Sequence, residues 1–228
     1  MFKIVVSFVL VLLVGCSSTP ELKPSTGIDP ATQARVEQWK MLIDSGSQWS
    51  DIKKLTSVND FVNQLNFVDD IIHWKKEDYW ATPLQTLVTK GGDCEDFAIA
   101  KYFTLSAMGM DESKMRLTYV KALTINKAHM VVSYFVSPNA EPLVLDNLNR
   151  QIVPASQRKD LIPVYSFNGT GLWLVKRDSQ QHVDDASRIS LWQDLIHHMD
   201  VEAANENAMI CLYQYYDLPS STAKTMCP

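Results

Sequence analysis

The sequence predicts an α+β fold in which a central buried helix carrying a cysteine packs on an antiparallel sheet, with further helices at the flanks. Three observations lead there. The segment from Cys94 to Met108, "CEDFAIAKYFTLSAM", is apolar almost all round and is closed by Gly109, as expected of a helix buried on every side. Beyond it the hydrophobic period changes: "MRLTYVKAL", "HMVVSYFV" and "LVLDNL" alternate as strands do, and the turn "SPNAEP" separates the last two. With 228 residues, 46% of them hydrophobic, the chain is long enough for one well-formed core.

The elements follow in order. Lys3, the apolar run "IVVSFVLVLLV" and "LVGC" form a signal peptide over residues 1–15. The run is shorter than a membrane-spanning helix needs. "LVGCSS" resembles the bacterial lipobox, in which cleavage precedes the cysteine and lipid is attached to it, here Cys16. Ser17, where an Asp would retain a lipoprotein in the inner membrane, favours the outer membrane facing the periplasm. Residues 16–30, rich in Ser, Thr and Pro, read as a lipid-anchored tether. A globular domain is expected over 31–178. Its first helix covers 31–44, with Val36, Trp39, Leu42 and Ile43 at helical spacing. A second is expected from Val58 to about His73. "DYWATPLQTLVTKGG" reads as a loop or short helix leading to Cys94. "LIPVYSFN" and "GLWLVKR" read as further strands, and residues 182–217 return to helical spacing, so 179–228 is expected to be a C-terminal helical extension.

The formal net charge is −5, or −6 once residues 1–15 and their single Lys3 are removed. No basic patch stands out, which argues against nucleic acid as a partner. In an oxidising compartment unpaired thiols tend to be oxidised, so after lipidation of Cys16 the economical arrangement pairs Cys211 with Cys227 and leaves Cys94 free.

Cys94 stands between Asp93 and Glu95, with Asp96 next. At the first turn of a helix the acids suit the dipole, and the thiol meets unpaired N–H groups. A like charge at ~4 Å nevertheless costs on the order of 4 kcal/mol at an effective dielectric of ~20, roughly 3 pKa units. Either Cys94 is an inert buried residue or something in the folded site supplies positive charge. His129 opens one strand and Asp146 closes the next. A hairpin hinged at residues 137–142 brings them together at one sheet edge, where the start of the Cys94 helix can join them. Nucleophile, base and orienting carboxylate would then run in the order Cys94, His129, Asp146. Taken singly, the cysteine and histidine are ordinary core residues and Asp146 an ordinary turn residue. His73, His182, His197 and His198 have no comparable setting, and the adjacent pair lacks metal-ligand spacing.

The segments "DYWATP", "GGDCEDFAIAKYFTL", "LTYVKA", "AHMVVSY", "PLVLDNLN" and "LIPVYSFNGTGLW" resemble, in this order and over roughly residues 35–175, the bacterial transglutaminase-like cysteine proteinases, in particular their periplasmic adhesin-cleaving members. The resemblance implies a papain/transglutaminase-like fold and a thiol protease with Cys94 as nucleophile, His129 as general base and acid, and Asp146 orienting the imidazole. It implies dependence on Ca²⁺ held by Asp93 and Glu95, hard oxygen donors of the kind calcium requires. A bound cation would reverse the local sign of the field at Cys94. Asp96 stays open between capping the helix and binding a partner. The resemblance further implies a large surface adhesin as substrate, cut near its N-terminus between two alanines, with biofilm dispersal as the outcome. It also implies inhibitory sequestration by an inner-membrane cyclic di-GMP receptor. Trp74, Trp80 and Trp173 are candidates for the groove wall and equally for the core. Relatives are commonly soluble in the periplasm, whereas the lipobox anchors this chain to a membrane through lipid. Two other readings keep the residues and change the activity: a transglutaminase-like acyltransferase passing the acyl group to an amine, and a non-catalytic lipoprotein that binds calcium or a partner.

Overall fold

The computed structural model of the chain describes residues 28–176, 179–186 and 189–205. The signal peptide, Cys16, most of the tether and the stretch holding Cys211 and Cys227 lie outside the described residues. Among the described residues no helix is long and apolar enough to cross a membrane.

Helix α1 (Pro30–Gly46) starts where Asp29 accepts hydrogen bonds from the Ala31 and Thr32 amides and Pro30 takes the first helical position, where its missing N–H costs nothing. Helix α2 spans Asp51–Val62, not Val58 to His73 as the periodicity suggested. Leu55, Val58 and Val62 form its buried stripe, and the chain then leaves the helix because its backbone is needed elsewhere. The Asn66 amide donates to the Lys90 carbonyl and the Val68 amide to the Gly92 carbonyl, pairing β1 (Asn66–Phe67) in parallel with β2 (Gly91–Gly92). The short α3 (Asp70–His73) follows β1.

Helix α4 (Pro83–Thr89) is opened by a reciprocal capping box between Thr82 and Gln85 and closed by Lys90 in the left-handed region, φ 61°. Both glycines that follow are required by close approach. A Cβ on Gly91 would lie 2.8 Å from the Asn66 carbonyl oxygen, and one on Gly92 would lie 2.2 Å from an Asp96 carboxylate oxygen.

Helix α5 (Cys94–Ala107) is the axis of the molecule. Ile99, Tyr102 and Leu105 are fully buried, Lys54 of α2 donates to the Met108 carbonyl just beyond its end, and Trp39 of α1 donates to Thr104. It packs on a seven-stranded sheet in the order β6-β5-β4-β3-β7-β8-β9, antiparallel throughout. The strands are β3 (Met115–Ala122), β4 (Lys127–Tyr134), β5 (Leu143–Leu145), β6 (Val153–Pro154), β7 (Leu161–Asn168), β8 (Gly171–Lys176) and β9 (Ser179–Asp184). The alternating segments of the sequence thus became strands. The helical spacing read from residue 182 did not hold at its start: residues 179–184 add the last strand, and the helix, α6, is Ser190–Ala204. Trp192 and Leu195 carry α6 into the main core, with Trp192 stacked on Phe103 and edge-on to Phe167.

α6 also reaches the loop before α4, where the Thr82 hydroxyl donates to Glu202 at 2.8 Å. Burial pushes the Glu202 carboxyl up to about 7, against 4.5 ordinarily, with the Thr82 bond opposing. A folded-state pKa above the unfolded one gives stability that is complete below about 4.5 and is lost as the pH rises through about 7. Relative to Glu202→Gln, the wild-type melting temperature is therefore expected to fall between these pH values and to run parallel above them. Tryptophan fluorescence during heating checks this, and a difference that does not vary with pH would refute it.

Candidate active site

The start of α5 is built by its own side chains. Asp93, the N-cap, accepts from the Glu95 amide at 3.1 Å, while the Asp96 carboxylate reaches back to the Asp93 amide at 3.3 Å. Asp96 is wholly buried and also accepts from the Ala81 amide at 2.7 Å and the Trp74 indole at 3.1 Å. It is therefore a capping and bracing residue that ties the 74–82 loop to the helix start. Trp74 and Trp80 are core residues, the latter stacked on Phe167, and Trp173 is half-buried beneath the Arg116 guanidinium.

Cys94 is the first residue of α5 and is 8% exposed. Its thiol donates to Glu95 Oε2 at 2.8 Å and receives the backbone N–H of Met130 on β4. Burial raises its pKa well above the thiol range; the charges of Glu95 and Asp93 and the Glu95 hydrogen bond push the same way, and the Met130 amide opposes. Without a counter-charge Cys94 is a thiol.

Next to Met130 stands His129, the third residue of β4. β4 and β5 pair with Val132 opposite Leu145, so one step past β5 Asp146 falls opposite Val131, diagonal to His129 two residues along the same strand face. His129 Nε2 lies 2.7 Å from Asp146 Oδ1, both side chains buried. Asp146 also accepts from the Leu148 amide at 3.0 Å and from Arg158 Nη2 at 2.6 Å, so it is a turn residue and an imidazole partner at once. Burial would raise its pKa, but the hydrogen bond and charge of His129, the Leu148 amide and Arg158 together hold it below the usual carboxylate range. An ionised carboxylate only accepts, so in the neutral imidazole Nε2 carries the hydrogen and Nδ1 the lone pair. Asn63, the C-cap of α2, donates to the Asp146 carbonyl at 2.9 Å and fixes the backbone below.

The acids before and at the start of α5 form a second feature. One oxygen each from Asp70, Asp93 and Asp96 lies within 4.8 Å of the others, and so do ligand atoms of Asp93, Cys94 and Glu95. Asp70 arrives through the β1–β2 bridge and was not anticipated from the sequence. Its Oδ2 accepts from the Tyr79 amide, and among the described residues its buried Oδ1 has no hydrogen-bond partner. Burial, then the Asp93 charge, pushes Asp70 up to about 7; burial, then Glu95, pushes Asp93 up to about 8. Among the described residues no basic side chain forms an ion pair with these acids. Arg158 and Asn63 also escaped the sequence reading. So did Tyr119 and Tyr165, which stack 5.1 Å apart within electrostatic reach of Glu95 and Asp78.

A thiol at the first turn of a buried helix, beside a strand whose imidazole pairs with a carboxylate at the end of the next strand, defines a transglutaminase-like cysteine proteinase fold. The chain belongs to the bacterial transglutaminase-like cysteine proteinases, whose family model matches residues 32–184. It is similar to LapG of Legionella pneumophila. The EGTA-treated LapG structure is 44% identical, with a TM-score of 0.70 over 76% of this chain and 92% of LapG. The calcium-bound structure is 43% identical, with a TM-score of 0.68 over 76% and 93%. Comparison with curated proteins finds no match.

The Gly92–Asp96 contact makes a further expectation concrete. Gly92→Ala forces its Cβ against the Asp96 carboxylate, which must give up bonds to the Asp93 and Ala81 amides or to Trp74. A loss of about 1–3 kcal/mol, the usual cost of overpacking, is expected in urea unfolding, together with slower alkylation of Cys94. An unchanged midpoint would mean that Asp96 does not brace the helix start.

Proposed function

We propose that the protein is a calcium-dependent cysteine endopeptidase of the periplasm. In this reading Cys94 is the nucleophile, His129 the general base and acid, and Asp146 the residue that orients the imidazole. The observation that carries it is the 2.7 Å His129–Asp146 pair on the strand whose Met130 amide meets the Cys94 thiol. His129 Nδ1 takes the thiol proton and the sulfur attacks a peptide carbonyl. The Cys94 amide at the helix start donates to the oxyanion, and the imidazolium returns its proton to the leaving amine. Water, deprotonated by His129, then attacks the thioester; the C–S bond breaks to release the acid, and the imidazolium returns its proton to the Cys94 sulfur.

The acids fit a calcium ion. They are hard oxygen donors: Asp93 has an oxygen within 4.8 Å of Glu95 on one side and of Asp70 and Asp96 on the other, the neighbouring acids raise the pKa of Asp70 and Asp93, and among the described residues Asp70 Oδ1 is a buried acceptor without a donor. Asp93 and Glu95 would hold the ion, with Asp70 beside them; calcium is also what one of the similar LapG structures contains. When bound, the ion supplies the positive charge that the Cys94 thiolate otherwise lacks.

By family resemblance the substrate is a large surface adhesin cut near its N-terminus at a di-alanine bond, so that the adhesin is released and the biofilm disperses. Sequestration by an inner-membrane cyclic di-GMP receptor is the corresponding control, with the protease tethered through lipid on Cys16. In this reading Tyr119, within electrostatic reach of Cys94, and Tyr165 stacked on it would flank the bound peptide.

The test is the rate at which iodoacetamide alkylates Cys94 of the full chain at pH 7, located by peptide mapping, in calcium and in excess chelator. Calcium should raise the rate at least about tenfold, the equivalent of one pKa unit. Asp70→Asn should shift the calcium needed by at least the roughly tenfold typical of a lost supporting partner. A quenched peptide with a central Ala-Ala bond should be hydrolysed under the same conditions. A slow rate indifferent to calcium would overturn the reading in favour of a non-catalytic binding role, and labelled-amine incorporation without cleavage would replace it with acyl transfer.

A further inference from the structure

Asp146 is held by more than the imidazole it faces. β6 runs into a single 3-10 turn, Ala155–Gln157, which ends at Arg158, where the Arg158 amide donates to the Ala155 carbonyl and the Leu161 amide to the Arg158 carbonyl. The Asp160 carbonyl accepts from the Leu123 amide, so this loop is tied to the end of β3 as well as to the start of β7. Arg158 is only 4% exposed. Its Nε and Nη2 donate to the two Asp160 oxygens at 2.9 and 2.7 Å, and Nη2 also donates to Asp146 Oδ2 at 2.6 Å.

The Asp146 carboxylate is therefore fully committed: Oδ1 to His129 and the Leu148 amide, Oδ2 to Arg158. Among the described residues the titratable and charged groups that face it are His129 from β4, Arg158 and Asp160 from the turn and the residues after it, and Lys101, buried on α5. Arg158 is the one whose donor geometry is set from outside, because Asp160 fixes the plane of the guanidinium. A carboxylate held only at Oδ1 can rotate about its Cβ–Cγ bond, whereas one held at both oxygens cannot.

We infer that Arg158, aligned by Asp160, is a positioning residue that locks the Asp146 carboxylate toward His129 and thereby sets the imidazole at Cys94. The inference rests on the reading of Cys94, His129 and Asp146 as the reacting set. It predicts that loss of Arg158 acts through Asp146 and not independently of it. Lysine at 158 keeps a cation but cannot hold both carboxylates in a fork, so it should rescue only in part.

The experiment measures Cys94 alkylation by iodoacetamide in calcium at pH 7 for wild type, Arg158→Gln, Arg158→Lys, Asp160→Asn, Asp146→Asn and the Arg158→Gln/Asp146→Asn pair. Rates are normalised to the folded fraction from thermal melts. Arg158→Gln should lose roughly ten- to a hundredfold, the kinetic equivalent of a charge-assisted hydrogen bond. Arg158→Lys and Asp160→Asn should fall between it and wild type. The double variant should be no slower than Asp146→Asn alone. If Arg158→Gln does not fold, Arg158→Lys and Asp160→Asn, which keep the buried cation, carry the comparison in pairs with Asp146→Asn. A fast wild type with equally fast Arg158 variants, or losses that multiply in the double variant, would overturn the inference alone. A wild type no more reactive than a free thiol, even with calcium, would overturn the underlying reading and this inference with it.

Discussion

The structure depends on where α5 begins. A helix buried on nearly every side cannot satisfy its first amides with water, so they must be met by side chains. Asp93 and Asp96 do this reciprocally, and Asp96 extends the bracing to Ala81 and Trp74. Because Gly92 has no Cβ, the chain can pass within contact of the Asp96 carboxylate and turn into the helix there. Everything at the site follows from that point. Cys94 is placed against β4 at Met130, and the β1–β2 bridge brings Asp70 alongside Asp93.

The charges around α5 are segregated. Carboxylates collect at its N-terminus, and the cations Arg158 and Lys101 lie on the far side of the His129–Asp146 pair. Lys101 is seven residues, two turns, from Cys94 and so shares its helix face. Burial lowers its ammonium to about 7 while the Asp146 charge opposes. The two halves have opposite effects on an ion pair between sulfur and imidazole. Arg158 helps keep Asp146 ionised and hydrogen-bonded, whereas the acids oppose a thiolate. A thiolate beside such acids needs a cation on the acid side. Removing the acids would spare the thiol their repulsion but would also unmake the cap that positions it.

Much of the fold was legible because alternation survives in strands that are half-buried or flanked by clear turns. The relation of His129 to Asp146 followed from strand ends and a hinge, which need only a period of two and a turn. Cys94 was legible from its place at the start of an apolar run. The second helix was misplaced because Phe61, Val62, Leu65 and Val68 keep a helical spacing by accident while the backbone of 66–68 pairs with 90–92. Asp70, Asn63 and Arg158 were not legible at all. Each is a single polar residue 12 to 83 positions from the group it serves, and nothing local distinguishes it from a solvated one.

The region after residue 178 shows why a boundary read from hydrophobic spacing can separate what packing joins. Its first six residues, polar in sequence, form an edge strand, where polarity is ordinary because one side faces solvent. Its helix contributes Trp192, stacked on Phe103 of α5 and edge-on to Phe167 of β7, so it covers the central helix within the same apolar cluster as α1 and α2. The polar side of that helix is joined to the site as well. His198 meets the Tyr79 ring and Glu202 accepts from Thr82, on either side of Ala81, whose amide holds Asp96. A displacement of α6 would therefore pass through the 79–82 loop to the cap of α5. α6 is thus a structural support of the cysteine's position, held through the same loop that braces Asp96.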